Sequence, residues 1–144
     1  MDFNEVGEEV AFISKSLHSK GLLAAADGNI SYRISDSEIL ITPSGVSKAR
    51  MSPRDMAVVN LQGEVLKGKP SSELKMHLAV YRHCQKAKAV VHAHPPMSIA
   101  WTIAQPNLKE LPSGCLSELI LACGSIPIVP FAFPGTEEMG SHLL

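Results

Sequence analysis

Two neighbouring stretches decide the fold: Pro70-Ser71-Ser72-Glu73-Leu74-Lys75-Met76-His77-Leu78-Ala79-Val80-Tyr81, and shortly after it Val90-Val91-His92-Ala93-His94-Pro95-Pro96. In the first, Leu74, His77, Leu78 and Tyr81 stand at i, i+3, i+4 and i+7, which places them on one face of a helix. Ser72 is placed to cap that helix, and Glu73 complements the positive end of its dipole. The second reads as an apolar strand, Val90 to His94, stopped by two prolines. A one-sided helix running into a strand asks for a layered α/β arrangement, with helices laid on a sheet.

The rest of the chain extends the same pattern. Towards the N-terminus, Val6, Val10, Ile13 and Leu17 recur at helical spacing, and Gly21 is suited to end that helix. Ile30–Arg33 and Glu38–Ile41 read as strands around the polar turn Ser35-Asp36-Ser37, and Ala57–Leu61 and Glu64–Leu66 flank a second turn, Gln62-Gly63. Ser52-Pro53 predicts a short helical turn. Towards the C-terminus, Met97–Ala104 and about Gly114–Ala122 read as helices and Ile126–Val129 as a strand. Thr136 then caps a helix bearing Met139 and Leu143. The expectation is one α/β domain over residues 1–144, with a mixed, mostly antiparallel central sheet flanked by helices. The chain stops about two turns into an apolar helix, where a helix on its own is marginal. The domain is therefore expected to be incomplete at its C-terminus.

Composition narrows the function classes. With 144 residues the chain is one domain by length, and 45% apolar against 19% charged residues excludes a disordered or fibrous chain. Lys and Arg total 13 against 14 Asp and Glu, so there is no broad basic footprint for nucleic acid. Aromatics at 5% offer little base-stacking surface. No apolar run reaches the roughly 18 residues of a membrane span, and the acidic Met1-Asp2-Phe3-Asn4-Glu5 is unlike a signal peptide. Cys84, Cys115 and Cys123 are odd in number and lack a CxxC spacing, as expected of a reduced, cytoplasmic protein.

The polar residues carry the chemistry. On a strand, His92 and His94 would point the same way with Cα atoms about 6–7 Å apart. Two imidazoles so placed can hold one divalent metal; equally, they can be strand-end histidines bonded to backbone. In Ser71-Ser72-Glu73 the carboxylate is fixed to a rigid element, where it could ligate a metal or act as a general base, while the hydroxyls and N–H groups could hold phosphate. The alternative is plain capping. The loops Gly28-Asn29 and Thr42-Pro43-Ser44-Gly45 are turns whose glycines would also let backbone N–H groups approach an anion. His77 reads as a core or supporting histidine, His18 and His83 as surface residues, and Trp101 as core packing. Lys48, Arg50 and Arg54 form a small basic loop cluster, either solvated or facing a phosphate or partner subunit.

Taken in order, Gly28-Asn29-Ile30-Ser31, Ile41-Thr42-Pro43-Ser44-Gly45, Ser71-Ser72-Glu73, Val91-His92-Ala93-His94, and Ser125-Ile126-Pro127 through Pro134-Gly135-Thr136 resemble the class II aldolase/adducin family, and its sugar-phosphate aldolases in particular. The resemblance implies a three-layer sandwich. It implies that His92 and His94 are two of three histidines binding Zn2+ or another divalent metal. Glu73 would be the acid/base, resting on the metal when no substrate is bound. Asn29, Ser44, Gly45, Ser71 and Ser72 would hold the substrate phosphate, with Gly28 shaping the loop. It further implies a homotetramer with active sites near subunit interfaces. The implied reaction is retro-aldol cleavage of a phosphorylated ketose to dihydroxyacetone phosphate and an aldehyde, through an enediolate whose charge the metal stabilises. Pentulose-phosphate 4-epimerase, thiosugar-phosphate dehydratase and a non-catalytic, adducin-like interaction domain stay open beside it. Two departures stand out. The family's third zinc histidine lies beyond the helix that starts at Thr136, and His142 falls inside that helix. Where aldolases of the family use a tyrosine, this chain has Leu116, and neither Tyr32 nor Tyr81 matches it.

Overall fold

The computed structural model describes residues 3–112, 114 and 117–144. Leu116, Cys115 and the first turn expected of the helix at Gly114–Ala122 lie partly or wholly outside them. The chain opens with α1 (Phe3–Ser19). It continues through β1 (Asn29–Arg33), β2 (Glu38–Ile41), a single 3-10 turn (Pro53–Asp55), β3 (Ala57–Asn60) and β4 (Val65–Lys67). Then come α2 (Leu74–His83), β5 (Ala89–His92), α3 (Pro96–Ala104), β6 (Glu110–Leu111), α4 (Ser117–Cys123), β7 (Ile126–Pro127) and α5 (Glu137–His142). The two-residue β6, which pairs with β7, has no counterpart among the expected elements; two residues carry no readable periodicity.

Five strands form the sheet in the order β4-β3-β2-β1-β5. Every pairing is antiparallel, so the parallel component expected of a mixed sheet is not found among the described residues. Residue alternation along the strands builds the layers. Ile30 and Leu40 join Val6, Val10 and Ala11 of α1, with Met51 and Met56, in one core. Ile39, Ile41 and Val59 join Leu78 and Tyr81 of α2 in the other. Helix, sheet and helix thus make the three-layer sandwich.

The second half is less enclosed. No residue of α3 is buried, and Trp101, expected in the core, is 45% exposed. Met97, Ile103, Phe131 and Phe133 are likewise exposed. Among the described residues no helix is long and apolar enough to cross a membrane.

Candidate active site

The site grows from one cross-strand pair. Asn29 of β1 lies directly opposite His92 of β5, so both side chains stand on the same sheet face, with Ser31 two residues further on. Helix α2 covers that face. Glu73, at its start, His77 and Tyr81 follow at four-residue steps and fall on one stripe. The stripe meets the strand residues in an unbroken hydrogen-bond chain.

Chemistry fixes its direction. The Asn29 carboxamide oxygen can only accept, so His77 donates to it from Nε2. His77 Nδ1 is then an acceptor and takes the Ser31 hydroxyl proton at 2.6 Å. The Ser31 oxygen takes the Tyr81 proton at 2.9 Å. At the other end, Asn29 donates from Nδ2 to Glu73 Oε2, and His92 donates from Nδ1 to the same oxygen at 2.6 Å. Five donors thus meet five acceptor roles with none conflicting. The chain demands a neutral His77, and burial pushes its pKa down to about 4. Burial also raises Tyr81 to about 12, keeping its proton on. The hydrogen bond from His92 is the main force holding the Glu73 carboxyl down to about 2, against a smaller opposing effect of burial and with help from Asn29.

The two histidines meet differently from the expectation. Strand β5 ends at His92, and His94 lies beyond it, its N–H donating to Leu22 O at 2.8 Å. Side-chain alternation therefore does not pair them, but their rings still lie 4.9 Å apart between centroids, tilted by 49°. Their fit to a metal rests on donor chemistry. The carboxylate at His92 Nδ1 fixes the tautomer that leaves the lone pair on Nε2, the arrangement typical of a metal-binding histidine with a carboxylate behind it. His92 and His94 are the residues that would hold a divalent metal. Among the described residues, no three His, Cys, Asp or Glu side chains converge to hold one jointly. In this geometry Glu73 is engaged with His92 and Asn29 rather than standing as a third ligand. His142 bonds through Nδ1 to the Pro130 carbonyl at 3.1 Å.

Beside Glu73 lies a cleft of about 250 Å³. All six residues expected to hold phosphate line it: Gly28, Asn29, Ser44, Gly45, Ser71 and Ser72. Backbone bonds bring these distant segments together: Ser44 N–H to Lys69 O at 3.1 Å, Ser71 N–H to Thr42 O at 3.1 Å, and a bridge between Pro43 and Pro70. Ser71, not Ser72, gives its hydroxyl oxygen to the Glu73 N–H, at 3.3 Å; α2 begins at Leu74, one step later than the cap placed at Ser72 would require. Lys48 departs further from expectation. It is fully buried, while Arg50 and Arg54 are exposed, so no solvated basic cluster forms.

Gly28 is required where it stands. Its φ is +67°, and an added Cβ would lie 2.7 Å from the His92 carbonyl oxygen and collide with the Leu23 side chain. Gly28→Ala is expected to destabilise the fold by at least about 2 kcal/mol, through left-handed strain and that overlap. Urea denaturation measures it; an unchanged midpoint would contradict the close approach of this loop to β5.

On the other side of the cluster is a larger cavity, of about 520 Å³, walled by Met76, Ile99, Val129, Phe131, Met139 and Leu143, with His142 at one side. Both cavities share Glu73, His94 and Pro134. Sequence reading singled out the Gly, Asn, Ser, Glu and His positions but missed Ser31, Tyr81 and the burial of Lys48. Only the β1–β5 register and the packing of α2 could have found the first two.

Comparison with known proteins places this geometry. Residues 8–144 match the model of the Class II Aldolase and Adducin N-terminal domain. The chain is 32% identical to the 3-oxo-tetronate 4-phosphate decarboxylase of Escherichia coli O6:H1 over 142 residues, covering 94% of this chain and 65% of that protein. It is 38% identical to the 5-deoxy-D-ribulose 1-phosphate aldolase of Bacillus thuringiensis serovar kurstaki over 136 residues, covering 92% of this chain and 62% of that protein. The crystal structure of YgbL from Klebsiella pneumoniae superposes with a TM-score of 0.90 at 32% identity, covering 99% of this chain and 70% of that one. The chain therefore spans a little under two-thirds of the length of the curated relatives it matches.

Proposed function

The chain belongs to the class II aldolase and adducin family, and on that premise we propose that it is a metal-dependent lyase cleaving a carbon–carbon bond in a small phosphorylated sugar. One observation carries this reading: Glu73 and His94 stand at the junction of a polar cleft and an apolar cavity. A phosphate would lie in the cleft among Gly28, Asn29, Ser44, Gly45, Ser71 and Ser72. The substrate carbonyl would lie at His92 and His94, and the fragment that leaves would lie towards Phe131 and Val129.

The residues divide the work accordingly. The hydrogen bond from His92 keeps the Glu73 carboxyl ionised at neutral pH, the protonation state a proton acceptor needs, and loosening that bond on substrate binding would raise its basicity. The bonds from His92 and Asn29 fix its orientation, which removes reorganisation from the proton transfer. Phosphate anchoring at a distance from the reacting bond turns binding energy into alignment. A divalent metal, when bound by His92 and His94, supplies a Lewis acid for the carbonyl oxygen.

The leading reaction is retro-aldol cleavage of a phosphorylated ketose, since among the described residues no lysine or arginine lines the apolar cavity to meet a carboxylate. The second reading is decarboxylation of a phosphorylated 3-oxo acid, supported by the relative of that name. Both reactions leave an electron pair on carbon beside a carbonyl, so one site suits either. A homotetramer is the assembly we infer, supported by the exposed apolar residues Met97, Trp101, Ile103, Phe131 and Phe133.

The test is metal content followed by turnover. The purified chain is expected to carry near-stoichiometric divalent metal, lost in His92→Ala. It is expected to release dihydroxyacetone phosphate from 1-phosphorylated ketoses faster than carbon dioxide from 3-oxo-tetronate 4-phosphate. The reverse order of rates selects the second reading. No metal and no turnover on either substrate class would overturn the lyase.

A further inference from the structure

We propose that Lys48 is the cation of the anion cleft: a positioning residue that ties its two loops together and supplies positive charge beneath them. The inference rests on the reading of that cleft as the phosphate site. Among the described residues no lysine or arginine lines the cleft, whereas two acidic residues do, Asp27 and Glu73. A phosphate placed among them needs positive charge close by. Lys48 is fully buried. Its ammonium donates to Ala26 O at 3.0 Å and Val46 O at 3.2 Å, and its own N–H donates to Ala25 O at 3.0 Å. Ala26 is part of the cleft wall, and Val46 follows Gly45. One side chain therefore bridges the loop carrying Gly28 to the loop carrying Ser44.

Two details favour a role in charge as well as shape. The hydrogen bonds given to Lys48 go to neutral carbonyls, so its charge is not cancelled by a bonded carboxylate, and in a buried setting that charge acts over a longer distance than at the surface. Burial lowers its pKa while Asp27 opposes the shift, so an anion arriving in the cleft would also favour the charged form. The loop it pins is strained: Ala25 has φ +45°, a left-handed conformation that residues with a side chain rarely adopt. Filling the space alone would need only a methionine.

The experiment titrates inorganic phosphate into the full 15N-labelled chain at constant ionic strength, reading the amides of Gly28, Gly45 and Ser72. Wild type is expected to saturate. Lys48→Met is expected to bind about tenfold more weakly or worse, the scale of one buried charge nearby. Lys48→Gln can still donate to a carbonyl but carries no charge, and is expected to lose affinity similarly. Either variant, if folded and binding like wild type, overturns the role of the charge. A measurement on wild type covers the case where both variants unfold. The Lys48 Nζ resonance is expected to move with the same midpoint as the Gly28 amide, and an Nζ signal indifferent to phosphate overturns the proposal. If the wild-type amides ignore phosphate altogether, the cleft reading itself fails, an outcome distinct from a failure confined to Lys48.

Discussion

Glu73→Gln is expected to lower kcat by about 10²–10⁴-fold, the range for removing a positioned acid/base, while leaving the fold almost untouched. Both hydrogen bonds to the carboxylate fall on one oxygen, Oε2. A glutamine can place its carboxamide oxygen there and accept from both Asn29 and His92, with its NH2 in the place of Oε1. The substitution thus preserves geometry and removes only the charge and basicity. Glu73→Ala is the contrasting case: it strands the Asn29 and His92 donors and costs about 1–3 kcal/mol for each left unpaired. Thermal melts and steady-state kinetics on the two variants separate the contributions. A Glu73→Gln enzyme with wild-type kcat would remove Glu73 from the chemistry.

The metal-free chain is expected to lose about 3 kcal/mol of stability between neutral pH and about pH 4, from His77 alone. Its pKa is about 4 in the fold against an ordinary 6.5, so between those values the unfolded chain binds a proton that the folded chain refuses. The contribution of neutral His77 is complete above 6.5 and is lost as pH falls towards 4. Glu73 follows in the next window: its folded pKa near 2 lies below the ordinary 4.5, so its contribution is present above 4.5 and disappears as pH falls through about 2. Urea midpoints across this range test the order. His77→Leu should flatten the upper window, at a cost of about 1–3 kcal/mol for each of Ser31 and Asn29 that loses its partner. A wild-type profile flat between 6.5 and 4 would show that His77 is not held neutral.

Much of this fold is legible in the sequence because period and punctuation agree. His77, Leu78 and Tyr81 are buried on the stripe that their spacing predicts, with Leu74 partly buried at its start, and the turns at Ser35–Ser37 and Gln62-Gly63 join strands where expected. What escaped was set by tertiary packing. The end of β5 at His92 depends on where β1 stops pairing at Asn29, not on residues 93–96. Lys48 reads as one of a loop cluster of cations, solvated or facing a phosphate or partner subunit; its burial stays hidden because its partners are backbone carbonyls, which leave no mark in a sequence. Trp101 reads as core because its helix is apolar all round, yet α3 presents no buried residue. Within the site, Glu73 and the two histidines were visible as chemistry. The roles of Ser31 and Tyr81 were not, since a serine on a strand and a tyrosine on a helix gain meaning only once register sets them 2.9 Å apart.

The hydrogen-bond chain through His77 also constrains the order of events during folding. Its links join residues 44, 48 and 50 positions apart along the polypeptide. Such contacts bear the full entropy of loop closure, and topologies rich in them fold slowly. Helices α1 and α2 can form early from local contacts, but the Glu73–Asn29–His77 cluster assembles only when β1 and β5 find each other. A refolding molecule therefore completes this cluster with its slowest long-range step, and helical signal recovers ahead of the burial of His77.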